Sequence, residues 1–252
     1  MIPGPSGPLS GHLSGQQGPS GPLSGQPGPS AQVWSASVRF TGRDEGDMGH
    51  GGQYVVDVDA EVEARRRAVV DRPWTWLRQV HGADVVEVRV PGDGAGTRAD
   101  AAVTAEAGCV LAVLVADCAP VALASREGVV GVAHAGWMGL LAGVLERTVE
   151  RMRALGATDV RAVLGPCIRP GCYEFGAEHL DRLAARLGDG VRGATDTGAP
   201  ALDVPAAVHA ALATVGVDMV DDVGRCTACD AGYYSWRARR DTQRQAVVVW
   251  RP

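Results

Sequence analysis

The chain has 252 residues, 46% of them hydrophobic, which suits one large domain or two fused halves with a substantial core. Its net charge of −5 and its lack of long basic runs argue against nucleic acid and acidic membranes as partners. All 24 strongly basic residues are Arg, which excludes mechanisms that need a Schiff-base or P-loop lysine.

The first thirty residues are rich in Gly, Pro, Ser and Gln, and the octet Gly-Pro-Ser-Gly-Pro-Leu-Ser-Gly occurs at 4–11 and again at 18–25. Such a segment buries too little apolar surface to offset its ordering entropy, so we predict a disordered tail over 1–30 and a folded domain over 31–252. The start has no signal-peptide pattern, and no apolar stretch reaches the roughly 18 residues of a membrane span. We expect a cytoplasmic protein.

Short Val-rich runs dominate the first half of the domain, and most are apolar throughout, as in strands buried on both faces. The predicted strands cover 33–40, 74–80, 84–90, 100–104, 109–116, 119–125, 128–134, 160–164 and 246–250. The predicted helices cover 60–70, 138–155, 177–188 and 204–215. This order indicates a mixed α/β fold with more strands in its first half than a doubly wound sheet has.

Three of these strands end or begin beside a single soft or borderline metal ligand in a turn: His81, Cys118 and His134. Taken singly, each has an ordinary explanation, such as a turn histidine or a buried thiol. Together, two imidazoles and one thiolate form a donor set that suits Zn²⁺, with copper as an alternative, and leave one coordination position open. We therefore predict a catalytic metal centre.

Asp117 precedes the cysteine, and it would orient a ligand imidazole or act as a general base; a turn aspartate before Pro120 is the plainer interpretation. Near the C-terminus, the aromatic segment 233–237 ends in Arg237. An aromatic surface with a guanidinium suits a planar base and an anion, whereas an aromatic strand edge is the structural alternative.

Six ordered motifs resemble the laccase-domain family, whose members are called polyphenol oxidoreductases, purine nucleoside phosphorylases or peptidoglycan editing factors. The motifs are Gln79-Val80-His81-Gly82, Ala99-Asp100-Ala101-Ala102-Val103-Thr104, Ala116-Asp117-Cys118-Ala119-Pro120-Val121, His134-Ala135-Gly136-Trp137, Gly165-Pro166-Cys167-Ile168, and Cys226-Thr227 with Ser235-Trp236-Arg237. The resemblance runs from about residue 38 to the C-terminus.

This resemblance implies a single α/β/β/α four-layer domain with zinc on His81, Cys118 and His134. It also implies small-molecule substrates, with phosphorolysis of adenosine, inosine, guanosine and methylthioadenosine and metal-dependent deamination of adenosine. Arg237 closes the last motif, so we carry it over as an assisting residue. One departure concerns phosphate: Met138 stands where the family usually has Arg after Gly-Trp.

Three alternatives stay open. Cys118 would act as a nucleophile in a peptidoglycan-precursor editing hydrolase. A degenerate, non-catalytic metal-binding module would fit Met138 and the divergent start of the domain, where Gly42-Arg43-Asp44-Glu45-Gly46 and Arg65-Arg66-Arg67 stand in place of the family's usual Gly-Gly-Val-Ser and Asn-Arg. A copper-dependent polyphenol oxidase is the third alternative, although a mononuclear site cannot by itself perform the multi-electron reduction of oxygen.

A C-x-x-C pair, Cys226 and Cys229, suggests either a redox pair or half of a zinc site completed by Cys167 and Cys172. Buried thiols around a Cys-Thr turn are the third reading of these residues. Disulfides are not expected in a reducing compartment.

Overall fold

The computed structural model describes residues 28–49 and 59–252, so the predicted tail lies outside the described residues up to position 27. The strands are β1 (Ser30–Val33), β2 (Ala36–Phe40), β3 (Trp74–Trp76), β4 (Val85–Glu87), β5 (Ala101–Thr104), β6 (Val110–Val115), β7 (Ala119–Ser125), β8 (Val130–Ala135), β9 (Val160–Leu164), β10 (Arg192–Ala194), β11 (Pro200–Leu202), β12 (Asp218–Asp222) and β13 (Gln245–Trp250). The helices are α1 (Ala60–Val69), α2 (Trp137–Ala142), α3 (Val144–Ala154), α4 (Ala177–Leu187), α5 (Val204–Thr214) and α6 (Trp236–Arg239).

Two mixed sheets form the centre of the molecule. The first sheet has the order β1-β2-β13-β6-β3, and the second has the order β12-β9-β7-β8-β5-β4. Most neighbouring strands are antiparallel, and within the described part of the chain the parallel strand pairs lie at sheet edges: β3 with β6, β12 with β9, and β4 with β5. The short hairpin β10-β11 lies outside both sheets.

Successive side chains of a strand point to opposite faces of its sheet, and both faces of the two sheets are buried. In β6, Leu111 and Val113 belong to a core between the sheets together with Val132 and Val163 of the second sheet. The alternate residues of β6 pack instead on the other side of the first sheet, in a cluster that includes Trp74. Runs that are apolar throughout are what a strand buried on both faces requires.

Helices cover the two outer faces. The second sheet buries its outer face against α2, α3, α4 and α5, in a cluster that includes Leu140, Leu145, Leu183 and Val208. On the first sheet, Arg66 of α1 is buried, and its guanidinium lies over the rings of Trp74 and Trp76. The four-layer α/β/β/α prediction is therefore confirmed. No helix among the described residues is both long and apolar enough to cross a membrane.

Two elements that were predicted as continuous are each divided in two in the structure. The helix expected over 138–155 is broken at Gly143, which has a φ of 83° and separates α2 from α3. The strand expected over 33–40 is a hairpin, because the chain turns at Trp34, whose φ is 55°. Strands β10 to β12 and helix α6 were not predicted from the sequence.

The sheets approach each other closely at Gly165, directly after β9. A Cβ built on Gly165 would lie 2.6 Å from the ring of Phe40 in the first sheet and 2.9 Å from Cγ of Pro120 in the second. Real Cβ atoms do not tolerate such distances, so glycine is needed for the two sheets to meet here.

Gly165→Ala should therefore lower the free energy of unfolding by about 1–3 kcal/mol, because the added methyl forces the two sheets apart. Urea denaturation measures the effect. Gly190→Ala is the matched control, since a Cβ at Gly190 would meet no atom within 4 Å. Equal stability of the two variants would contradict this account of the sheet contact.

Candidate metal centre

The three predicted ligands converge at one end of the second sheet. Antiparallel pairing sets Pro120 at the start of β7 beside His134 near the end of β8, and Cys118 directly precedes β7. His81 reaches the same place from the loop before β4. The ligand atoms of His81, Cys118 and His134 all lie within 4.8 Å of one another, so the structure brings together all three residues.

The histidine rings stand edge to face around the sulfur. Their centroids are 4.8 Å apart at an interplanar angle of 76°, and Nε2 of His81 lies 3.9 Å from Sγ of Cys118. Gly136 makes this approach possible, because a Cβ there would lie 2.9 Å from the His81 ring and 3.2 Å from the sulfur of Cys118. The Gly136 position of the His-Ala-Gly-Trp motif is thus a steric requirement of the centre.

Asp100 is the polar residue that organises the centre. Its carboxylate is fully buried and accepts hydrogen bonds from the backbone N–H groups of residues 80, 81 and 82, at 3.2, 2.9 and 2.7 Å. The same carboxylate lies 2.8 Å from Nδ1 of His134, which donates to it. Burial opposes ionisation of Asp100, but its bonds to His134 and to the backbone keep its pKa below the usual value.

This arrangement fixes both histidines. Because Asp100 binds Nδ1 of His134, Nε2 of that ring is the nitrogen free to ligate, as in the carboxylate–histidine–metal arrangements of metalloproteins. His81 has a left-handed backbone, with a φ of 58°, and its N–H bond to Asp100 holds that conformation. The side chain of Gln79 adds two hydrogen bonds to the backbone of Leu114, at 2.7 and 2.8 Å.

The neighbouring histidines favour the thiolate form of Cys118. Burial opposes ionisation of the thiol, but the charge and hydrogen bond of His134, with a contribution from His81, lower the pKa of Cys118 to about 6. Conversely, burial disfavours the imidazolium of His134, yet Cys118 and Asp100 raise its pKa to about 9. The thiolate is the form that binds metals. Two imidazoles and a thiolate that converge in this way fit a borderline divalent ion such as Zn²⁺.

Asp117 connects the centre to the C-terminal segments. It has a strained left-handed backbone, with a φ of 95°, and a buried carboxylate. One carboxylate oxygen accepts from the hydroxyl of Thr227 at 2.7 Å, and the other accepts from the backbone N–H of Arg237 at 2.6 Å. These bonds place Asp117 as a support for both segments, and its action as a general base stays a prediction.

Arg237 is exposed, and its guanidinium lies over the ring of Tyr173, with the carbon atom 4.9 Å from the ring centroid. Burial and the nearby Cys118 charge raise the pKa of Tyr173 to about 12, so its hydroxyl stays protonated at neutral pH. The aromatic surface beside Arg237 is therefore Tyr173, whereas Tyr233 and Tyr234 of the predicted segment are buried.

Sequence reasoning missed the roles of two residues. Asp100 stands in a motif that was recognised, but its position before a strand revealed nothing of the four groups it binds. Tyr173 lies between two elements without a motif of its own. Met138 is on the first turn of α2 and 42% exposed, one residue after the tryptophan that follows Gly136.

Comparison with known proteins adds independent information. The sequence model of the family described as multi-copper polyphenol oxidoreductase laccase matches residues 40–252. A purine nucleoside phosphorylase of Streptomyces coelicolor is 43% identical over 199 residues, which cover 77% of this chain and 82% of that protein. The purine nucleoside phosphorylase YfiH of Escherichia coli is 38% identical over 179 residues, which cover 69% of this chain and 72% of the relative.

Two crystal structures have similar folds. A DUF152 protein of Neisseria meningitidis superposes with a TM-score of 0.74 at 28% identity, covering 88% of this chain and 98% of its own. YlmD from Geobacillus stearothermophilus superposes with a TM-score of 0.69 at 29% identity, covering 86% and 91% of the two chains.

Asp100→Asn should weaken Zn²⁺ binding by about 10–100-fold, because an amide cannot accept all the bonds that hold His81 and His134. Competition with a chromophoric chelator measures the affinity. Asp84→Asn is the matched control: its side chain is 78% exposed and pairs with Arg147 at 3.9 Å, and its backbone oxygen accepts from the N–H groups of residues 100 and 101. Unchanged affinity in Asp100→Asn would remove this residue from the centre.

Proposed function

Since the chain belongs to the multi-copper polyphenol oxidoreductase laccase family, whose relatives include named purine nucleoside phosphorylases, we propose that it is a metal-dependent purine nucleoside phosphorylase. The observation that carries the proposal is the convergence of His81, Cys118 and His134 within 4.8 Å. Its substrates are a purine nucleoside, such as adenosine, inosine, guanosine or methylthioadenosine, and inorganic phosphate. Deamination of adenosine is the second proposed activity of the same site.

His81, Cys118 and His134 would hold Zn²⁺, and an ion bound there supplies Lewis-acid polarisation of a substrate oxygen. The chain's own groups do the positioning. Asp100 keeps the proton on Nδ1 of His134 and orients the ring, while Gly136 leaves the space in which the three ligands meet.

Arg237 is proposed to bind phosphate. A guanidinium pairs with phosphate through two parallel N–H groups, and this one is exposed at the end of the segment that Asp117 holds. Among the described residues it has no ion-pair partner, so its charge is available to an anion. The ring of Tyr173 beneath it restricts the directions in which the guanidinium points.

A low-pKa thiol beside histidines also suits the cysteine-nucleophile alternative. The geometry favours the ligand role, because two imidazoles converge on the sulfur and one of them is backed by a carboxylate. A nucleophile needs only one base. The multicopper alternative needs several coppers, and the described residues contain one histidine-bearing ligand group of this kind.

The central test incubates zinc-loaded protein with inosine or adenosine, with and without phosphate, and separates the products by chromatography. Phosphorolysis gives free base and ribose 1-phosphate only when phosphate is present, whereas deamination gives inosine from adenosine without it. Cys118→Ser should lower both turnovers by about 100-fold or more, because a ligand is lost.

Cys109→Ser is the control for this substitution, since Cys109 is a buried thiol outside the group of His81, Cys118 and His134. It should retain wild-type turnover. Turnover that persists in Cys118→Ser, or that needs no metal, would refute a metal-dependent phosphorylase. A covalent adduct on Cys118 during turnover would support the hydrolase alternative instead.

Met138→Arg should lower the KM for phosphate severalfold with unchanged zinc content, because it adds a guanidinium on the first turn of α2, two residues after Gly136, which lies against His81 and Cys118. Initial rates at varied phosphate measure the change. Val90→Arg adds the same charge at another exposed apolar position and controls for general electrostatic attraction. An equal effect of both substitutions would assign the change to net charge.

A further inference from the structure

A second group of metal-ligand side chains lies outside the proposed centre. Sγ atoms of Cys172, Cys226 and Cys229 all lie within 4.8 Å of one another, and those of Cys172 and Cys229 are 2.8 Å apart. Cys172 ends a short 3-10 helix at Pro170–Cys172, and the other two belong to the turn that precedes α6. All three are at least partly exposed, so an ion in solution has access to them.

The structure corrects the four-cysteine arrangement considered from the sequence. Cys167 is completely buried and is absent from the group, although its backbone forms a bridge with Cys226. Burial raises the pKa of Cys167 to about 12, which keeps it a neutral thiol. The C-x-x-C pair therefore combines with Cys172 alone.

Backbone N–H groups around Cys226 favour loss of its thiol proton. Burial opposes ionisation, but the N–H groups of residues 169, 229 and 228 face this sulfur and lower the pKa of Cys226. The hydrogen bond with Cys172 instead raises the pKa of Cys229 to about 12. Cys226 is therefore the sulfur of the group that gives up its proton to an ion most readily.

We propose that Cys172, Cys226 and Cys229 form a second metal site, which holds one thiophilic ion of closed d shell, Zn²⁺ or Cu⁺. Three thiolates suit both ions: Cu⁺ in trigonal coordination, or Zn²⁺ with a solvent molecule as fourth ligand. On binding, the ion replaces the thiol protons, which pass to solvent, and no electron is transferred.

The sulfurs must separate slightly for this coordination. Two thiolates on one tetrahedral Zn²⁺ lie ~3.8 Å apart, given Zn–S bonds of about 2.3 Å. Cys172 and Cys229 therefore need to move apart by about 1 Å, and the exposed side chain of Cys229 has room to rotate.

The site would be structural, because it joins two segments that support the first centre. Thr227 lies in the turn between Cys226 and Cys229, and its hydroxyl donates to the carboxylate of Asp117. On the other side, Cys172 directly precedes Tyr173, the ring beneath Arg237. An ion on the three sulfurs would clamp these segments together and restrain both groups. The proposal does not depend on the nucleoside activity.

Zinc stoichiometry of reduced, metal-stripped full-length protein tests the proposal. After incubation with Zn²⁺ alone and gel filtration, wild type should retain two ions per chain by elemental analysis. Cys172→Ser/Cys229→Ser should retain one, and His81→Ala/His134→Ala should also retain one. Cys167→Ala is the matched control and should retain two, because this neighbouring thiol is outside the group. A parallel titration with Cu⁺ identifies the ion that binds more tightly.

Alkylation of wild type gives a test that needs no variant. Zn²⁺ should protect Cys172 and Cys229 from iodoacetamide at least tenfold, as read by peptide mass spectrometry. Equal ion content in wild type and in the Cys172→Ser/Cys229→Ser variant, with both Zn²⁺ and Cu⁺, would overturn the proposal. So would recovery of a Cys172–Cys229 disulfide from the reduced, metal-treated protein.

Discussion

The buried carboxylate of Asp100 is the interaction on which the centre depends. It accepts three consecutive backbone N–H groups from the His81 loop and the Nδ1–H of His134, while its own backbone is tied to β8 through the N–H of His134. A buried carboxylate without such partners would be very costly. Each bond therefore serves twice, because it stabilises the charge of Asp100 and positions a ligand.

Strand pairing explains why this carboxylate is in the right place. Residue 101 pairs with residue 133 in the antiparallel ladder of β5 and β8, so Asp100 must lie beside His134. The next ladder, between β7 and β8, brings Cys118 to the same edge. Cys118 and His134 thus meet because β7 pairs with β8, and Asp100, placed by the ladder of β5 and β8, holds the His81 loop beside them. Rigid strands hold such a constellation more closely than loops do.

The sequence was most informative for features that depend on residues close together in the chain, such as buried strands and turns. Val-rich runs located most strands of the two sheets, and the turn context of His81, Cys118 and His134 identified the ligand group. Local patterns failed where long-range pairing decides the outcome. The four partners of Asp100 come from two distant segments, and the ring of Tyr173 approaches Arg237 only in the folded chain. The break at Gly143 was missed because apolar periodicity continues across it.

The cysteines show why residue type alone cannot assign a role. Imidazoles lower the pKa of Cys118 to about 6, and backbone N–H groups lower the pKa of Cys226. Burial without such partners raises the pKa of Cys109 and of Cys167, and it leaves them neutral. The pKa of the thiol is therefore lowered only at Cys118 and Cys226, which lie in the two places where other ligand atoms converge. Thr227 and Asp117 connect those places, so a change in the turn between Cys226 and Cys229 reaches the first centre through the hydrogen bond from Thr227 to Asp117, the neighbour of Cys118.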